Sequence, residues 1–176
     1  MVPRKSVNLK LDINLSTFPA FTTRIPSTYS AIKTSLFEIL PCVYLGNSFV
    51  ASKGSILKQL DITNIINVAN EIPCFFLNDH ISHFDYLHLP WDHASKIQND
   101  INDINRFIDK AISEKGNILI HCDLGKSRSA CAMIGFIMHN RALPFDEAYK
   151  LVKEKAPHIS PNFELLYQLI DFETNQ

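Results

Sequence analysis

The chain has 176 residues, 46% of them apolar, with 17 basic and 18 acidic side chains and a net charge of −1. That length and apolar share fit one ordinary domain with a real core plus a short extension. The near-zero charge excludes a global field for nucleic acid or an acidic membrane surface, and no apolar run approaches the length of a membrane span, so any affinity for anions must be local.

Residues 1–34 read as an N-terminal extension, because Pro3, Pro19, Pro26 and many Ser, Thr and Asn residues interrupt any sustained period. Within it Val7, Leu9, Leu11, Ile13 and Leu15 alternate with polar residues just after Arg4 and Lys5, the pattern of a strand or an extended docking peptide. The opening segment lacks a continuous apolar stretch after its charges, which argues against a secretory signal. Cys42, Cys74, Cys122 and Cys131 show no short paired spacing, so reduced thiols in the cytosol or nucleus are expected.

Residues 35–176 read as one domain. Cys42–Leu45 is expected to be a short strand ended by Gly46-Asn47, and Phe49–Leu60 has helical spacing. Ile62–Val68 is a β-branched apolar run suited to a buried parallel strand. A loop over 70–82 leads to an alternating strand at Phe84–Leu89, ended by Pro90. Ile101, Ile104, Phe107, Ile108 and Ala111 share one face of a helix over Asp100–Ser113. Ile118-Leu119-Ile120 is a buried strand, Arg128–His139 an almost wholly apolar helix, and Leu143–Glu154 and Phe163–Phe172 are amphipathic helices. The alternation implies an α/β fold, a central mostly parallel sheet flanked by helices.

The segment between that last strand and the buried helix, His121-Cys122-Asp123-Leu124-Gly125-Lys126-Ser127-Arg128-Ser129, is where the chemistry concentrates. Ligands of open α/β sheets bind at the carboxyl ends of strands, and the unpaired amides of a helix N-terminus attract anions. Gly125 permits a left-handed turn, so consecutive backbone amides from Cys122 to Arg128 can point inward around a phosphate. Arg128 adds a planar fork that matches two phosphate oxygens. A cysteine in such a positive site favours its thiolate, the nucleophilic form. His121 is positioned to fix the loop, and Ser129 to donate a hydrogen bond to the sulfur. A buried cysteine in an ordinary turn is the bland alternative, but it has no use for an arginine at the mouth of an apolar helix.

These residues match the HCxxGxxR(S/T) signature of the protein tyrosine phosphatase superfamily, and residues 36–174 resemble its dual-specificity branch. Tyr44-Leu45-Gly46-Asn47, Ile62–Glu71 and Ser160-Pro161-Asn162-Phe163 with Gln168-Leu169 are similar to that branch's core strands and last helix. Trp91-Asp92-His93 and the helix after it look like fungal MAP kinase phosphatases. The resemblance implies a dual-specificity phosphatase fold and a shallow pocket for phosphotyrosine and phosphoserine or phosphothreonine. It implies hydrolysis through a phosphocysteine on Cys122, with no cofactor and no metal. It also places a general acid on a loop about thirty residues before the cysteine. Asp92 is the first choice; His93, Asp100 and Asp85 are the alternatives, and a plain helix-capping carboxylate is the bland reading of Asp92.

The expected partner is a phosphorylated protein, with a MAP kinase as one candidate held by Arg4, Lys5, Leu9 and Leu11; no nucleic acid or membrane is expected. His80, His83, Cys74, His88 and His93 lack paired metal-ligand spacing and read as loop residues. Cys42 and Cys74 are candidate resolving thiols for an oxidised Cys122. Two further readings compete: a phosphoprotein-binding module with weak catalysis, and a phosphoinositide or RNA 5′-triphosphate phosphatase. Lys126 opposite Asp123 gives the loop little net charge for the latter.

Overall fold

The computed structural model describes residues 35–78, 84–92 and 94–174. The expected docking segment at Arg4, Lys5, Leu9 and Leu11 lies outside them, as do His80, His83 and His93.

A five-stranded sheet is ordered β1-β2-β5-β3-β4, from β1 (Leu36–Leu40), β2 (Val43–Gly46), β3 (Ile62–Asn67), β4 (Asp85–His88) and β5 (Asn117–His121). β5 sits at the centre, parallel to both β2 and β3, and β3 is parallel to β4. Only β1 runs antiparallel, as an edge strand hairpinned to β2. A parallel central strand is buried on both faces, which is why Ile118, Leu119 and Ile120 form an unbroken apolar run at 0% exposure. Side chains alternate across it. Ile118 and Ile120 enter the larger core, whereas Leu119 enters a smaller one with Leu57 and Ile65.

The larger core is capped by α3 (Gln98–Ser113), α4 (Arg128–Arg141), α5 (Phe145–Lys155) and α6 (Phe163–Thr174). α4 is buried from Arg128 through Met138 because it packs on α3, α5, α6 and the sheet at once. Gly135 allows that approach, since a Cβ there would lie 2.8 Å from Ile101 Cδ1. The smaller core is covered by two short helices, α1 (Ser48–Ala51) and α2 (Gly54–Gln59). The single helix expected over Phe49–Leu60 is thus broken. Ser52 closes α1, Gly54 opens α2, and a Cβ at Gly54 would lie 3.4 Å from the Phe76 ring. β1 was not anticipated; its ladder is bulged at Glu38/Leu40 and its turn closes through Cys42 at φ 67°.

Parallel strands bring their carboxyl ends to one edge of the sheet. Gly46, Asn67 and His121 share that edge in register, and β5 delivers Cys122 directly onto it.

Candidate active site

Cys122 is 2% exposed at the floor of the loop that joins β5 to α4. Its Sγ lies 3.2 Å from Ser129 Oγ. The hydroxyl can donate to a thiolate there, and Ser129 is itself fully buried in the first turn of α4. The His121 ring is buried with Nδ1 3.3 Å from the Cys122 carbonyl. Burial pushes its pKa down to about 4, so the ring is neutral at physiological pH and acts as a structural donor.

The loop is held open from outside. The Asp123 carbonyl accepts from Ser48 N–H at 2.9 Å, the Gly125 carbonyl lies 3.2 Å from His158 Nε2, and the Lys126 carbonyl accepts from Ser160 N–H at 2.9 Å. Among the described residues every peptide bond is trans, so each N–H points opposite to the carbonyl before it. The amides of Leu124, Lys126 and Ser127 are therefore directed away from the flanks, toward the interior of the loop. Ser48 Oγ also donates to Asp123 Oδ1 at 3.1 Å, and Asn162 N–H to Ser127 Oγ at 3.1 Å. Gly125 takes φ +69°, and a Cβ there would stand 2.7 Å from the Gly46 carbonyl oxygen. The turn therefore requires glycine on two counts, conformation and space. The result is a ring of inward amides around a buried sulfur, at the N-terminus of a buried helix: an anion cradle.

Arg128 completes it. Its Nη1 donates to Glu71 Oε2 at 2.7 Å and to the Trp91 carbonyl at 2.9 Å, and its Nη2 donates to Glu71 Oε1. Three of the five guanidinium hydrogens are thereby used. The two left, on Nε and Nη2, form the other edge of the fork; Nε is buried and has no partner among the described residues. A tetrahedral oxyanion in the cradle would offer that edge two acceptors. Arg128 is 5% exposed, an expensive burial for a cation unless it is paired, which Glu71 supplies.

The bond to the Trp91 carbonyl also fixes the loop that bears Asp92. Trp91 is 2% exposed and its indole N–H donates to Asp100 Oδ2 at 2.6 Å, so Asp100 is committed to holding the loop. Asp85 lies on β4 and faces Lys110 at 3.7 Å. Asp92 is exposed, and its Oδ1 accepts from Ala94 N–H at 2.8 Å and Ser95 Oγ–H at 2.9 Å. Its carboxylate thus stands on a turn anchored to Arg128.

The resolving role considered for Cys42 is corrected by register. Cys42 precedes Val43, which pairs with Ile118, so it lies at the opposite end of the sheet from Cys122. Four to five residues of parallel strand span about 15 Å, far beyond a disulfide. Cys74 is nearer: its Sγ is 3.7 Å from Asn67 Nδ2, and Asn67 is in register with His121. Burial pushes the Cys74 thiol up, away from thiolate. Cys131 is fully buried in α4, where burial also raises its pKa. Among the described residues no group of His, Cys, Asp and Glu could hold a metal ion, and no helix is long and apolar enough to cross a membrane. No sequence signal marks Glu71, Ser48, His158 and Ser160 for these contacts. Glu71 closes the ITNIINVANE run, but nothing local marks it as the partner of an arginine 57 residues on.

A fold and a cradle of this kind define the cysteine-dependent phosphatases. The family described as dual specificity phosphatase, catalytic domain, matches residues 43–175. The chain is 37% identical over 139 residues to dual specificity protein phosphatase 1-A of Xenopus laevis, covering 78% of this chain and 37% of that protein. It is 33% identical over 179 aligned positions to dual specificity protein phosphatase 1 of Homo sapiens, covering 97% and 47%. A crystal structure of human tyrosine phosphatase-like serine/threonine/tyrosine-interacting protein superposes with a TM-score of 0.72 at 30% identity, covering 81% of this chain and 97% of that one. The chain belongs to the dual-specificity phosphatase family. It spans less than half the length of these two curated relatives.

Proposed function

We propose that the protein hydrolyses phosphotyrosine and phosphothreonine or phosphoserine on a protein substrate through a phosphocysteine on Cys122. The observation that supports this best is the combination of a buried sulfur with the open Nε–Nη2 edge of Arg128 above inward amides. The cradle holds three phosphate oxygens, and Arg128 meets the charge that develops in transfer. The Cys122 thiolate attacks phosphorus, and the bond from phosphorus to the tyrosine or threonine oxygen breaks. Asp92 gives its proton to that leaving oxygen. Asp92 then takes a proton from water as the water oxygen attacks phosphorus. The S–P bond breaks, inorganic phosphate leaves, and Ser129 Oγ donates to the departing thiolate.

A MAP kinase is the proposed substrate. The support is the likeness of residues 91–93 to fungal MAP kinase phosphatases and the basic-then-alternating pattern of Arg4, Lys5, Leu9 and Leu11. An extended segment of that kind fills a row of apolar pockets while its basic residues meet an acidic patch, raising the local concentration of the phosphorylated loop.

Four substrates test the assignment: a phosphotyrosine peptide, a doubly phosphorylated threonine/tyrosine peptide, a phosphoinositide and triphosphorylated RNA. Turnover of both peptides above the other two is expected, and preference for the lipid or the RNA would overturn it. Deleting residues 1–15 should lower activity on an intact phosphorylated MAP kinase but spare a small aryl phosphate. Unchanged activity on both substrates after deletion would exclude the docking role.

A further inference from the structure

Of the three flanking groups that pull loop carbonyls outward, two are backbone amides, Ser48 and Ser160. The third is a side chain, His158, whose Nε2 lies 3.2 Å from the Gly125 carbonyl. The contact falls on the one loop residue with a left-handed backbone, φ +69°. The Gly125–Lys126 peptide is thus the unit of the cradle whose orientation has the least regular backbone support. Flipping it would turn a carbonyl dipole toward the bound anion and the Lys126 N–H away from it.

The imidazole is itself fixed. Its ring stacks on Phe37 of β1, with centroids 4.6 Å apart and planes 21° from parallel. Its Nδ1 is buried and without a hydrogen-bond partner among the described residues. A carbonyl accepts only, so the ring hydrogen sits on Nε2 and the bare Nδ1 is the one left unsolvated. Burial holds His158 below the usual histidine range, and the charges of Lys126 and Lys153 act the same way, against the pull of the Gly125 carbonyl. A neutral ring, one hydrogen and one acceptor account for all of these contacts.

We infer that His158 is a positioning residue for phosphate recognition: stacked on Phe37 and donating from Nε2 to the Gly125 carbonyl, it keeps the Lys126 N–H turned into the anion cradle. This rests on the cradle reading above. The edge strand β1, which carries no residue of the phosphate loop, is thereby coupled to phosphate affinity through Phe37.

His158→Phe retains an aromatic ring to stack on Phe37 and removes the donor; His158→Gln restores a side-chain N–H without the ring. The assays are kcat/KM on a small aryl phosphate and inhibition by vanadate, beside a thermal melt. One hydrogen bond sets the scale, so His158→Phe is expected to weaken vanadate inhibition and lower kcat/KM together by about three- to tenfold, with Gln recovering most of the loss. A loss of less than about twofold in folded His158→Phe, or no recovery by Gln, overturns the inference. Wild-type protein supplies a test that no unfolded variant can spoil. The ring ¹⁵N shifts of His158 must report a neutral Nε2–H tautomer, and an Nδ1–H tautomer contradicts the assignment. If vanadate fails to inhibit the wild type at all, it is the cradle reading that falls.

Discussion

Glu71→Gln isolates the contact that aims Arg128. The substitution keeps the shape and one acceptor but replaces the second carboxylate oxygen with an amide that points hydrogens at a hydrogen-bearing guanidinium. One charge-assisted bond to Nη1 or Nη2 is lost, a loss of about 1.5–3 kcal/mol when the groups are buried. Arg128 is only 6% exposed at its side chain, but Glu71 is 45% exposed, so water can replace part of what the carboxylate supplied. The low end of that range applies, which is about tenfold in an equilibrium or rate constant. Because the fork edge facing the phosphate is the one misaligned, the loss should be alike for a small aryl phosphate and a phosphopeptide. Vanadate inhibition should weaken by a similar factor. Steady-state kinetics on both substrates, with a vanadate titration, measure it. Unchanged kcat/KM and unchanged vanadate affinity in folded Glu71→Gln would refute the claim that Glu71 orients Arg128.

Asp92→Asn should lower kcat and remove the basic limb of the pH–rate profile, with a larger effect on phosphothreonine than on an activated aryl phosphate; loss of that limb in Asp100→Asn instead would move the acid to Asp100. Gly125→Ala meets both a left-handed φ and the Gly46 carbonyl at 2.7 Å, so turnover should fall about 5- to 150-fold, the equivalent of strain of about 1–3 kcal/mol, and wild-type kinetics would contradict the geometry. His121 has a folded pKa depressed to about 4 by burial. The unfolded chain then binds the extra proton between that value and the ordinary histidine value of about 6.5. Stability should therefore be constant above that window and fall as pH drops through it, by up to about 1.4 kcal/mol per unit. Urea midpoints against pH should show this slope in the wild type and lose it in His121→Asn; an equal slope in both would exclude His121 as its source.

The elements with strong patterns were legible in the sequence. Ile118–Ile120 of β5 and Ala130–Met138 of α4 are apolar without interruption because both stretches are buried on every side, and that pattern also frames the loop between them. β1 was not legible: five residues with Glu38 in the middle and a bulge leave no clean alternation, and its place is set by pairing with β2. The apolar spacing over 49–60 continues across the break between Ser52 and Gly54, so the pattern alone does not reveal it. In the site, the residues adjacent in sequence to Cys122 could be read from one loop. Glu71, Ser48 and His158 could not, because they reach that loop from 57, 75 and 33 residues away and only the sheet topology brings them in. The same topology separates Cys42 from Cys122, which cysteine spacing alone cannot decide.

Chemical trapping of the enzyme during turnover tests the covalent mechanism most directly. Rapid acid quench of wild-type protein with a phosphotyrosine peptide, followed by peptide mapping, should find one phosphoryl adduct, on Cys122. The adduct should be absent from Cys122→Ser, and in Asp92→Asn it should accumulate from an activated aryl phosphate, whose leaving group needs no proton, because water attack is slowed. A phosphoryl group on another residue, or substantial turnover by Cys122→Ser, would contradict the account.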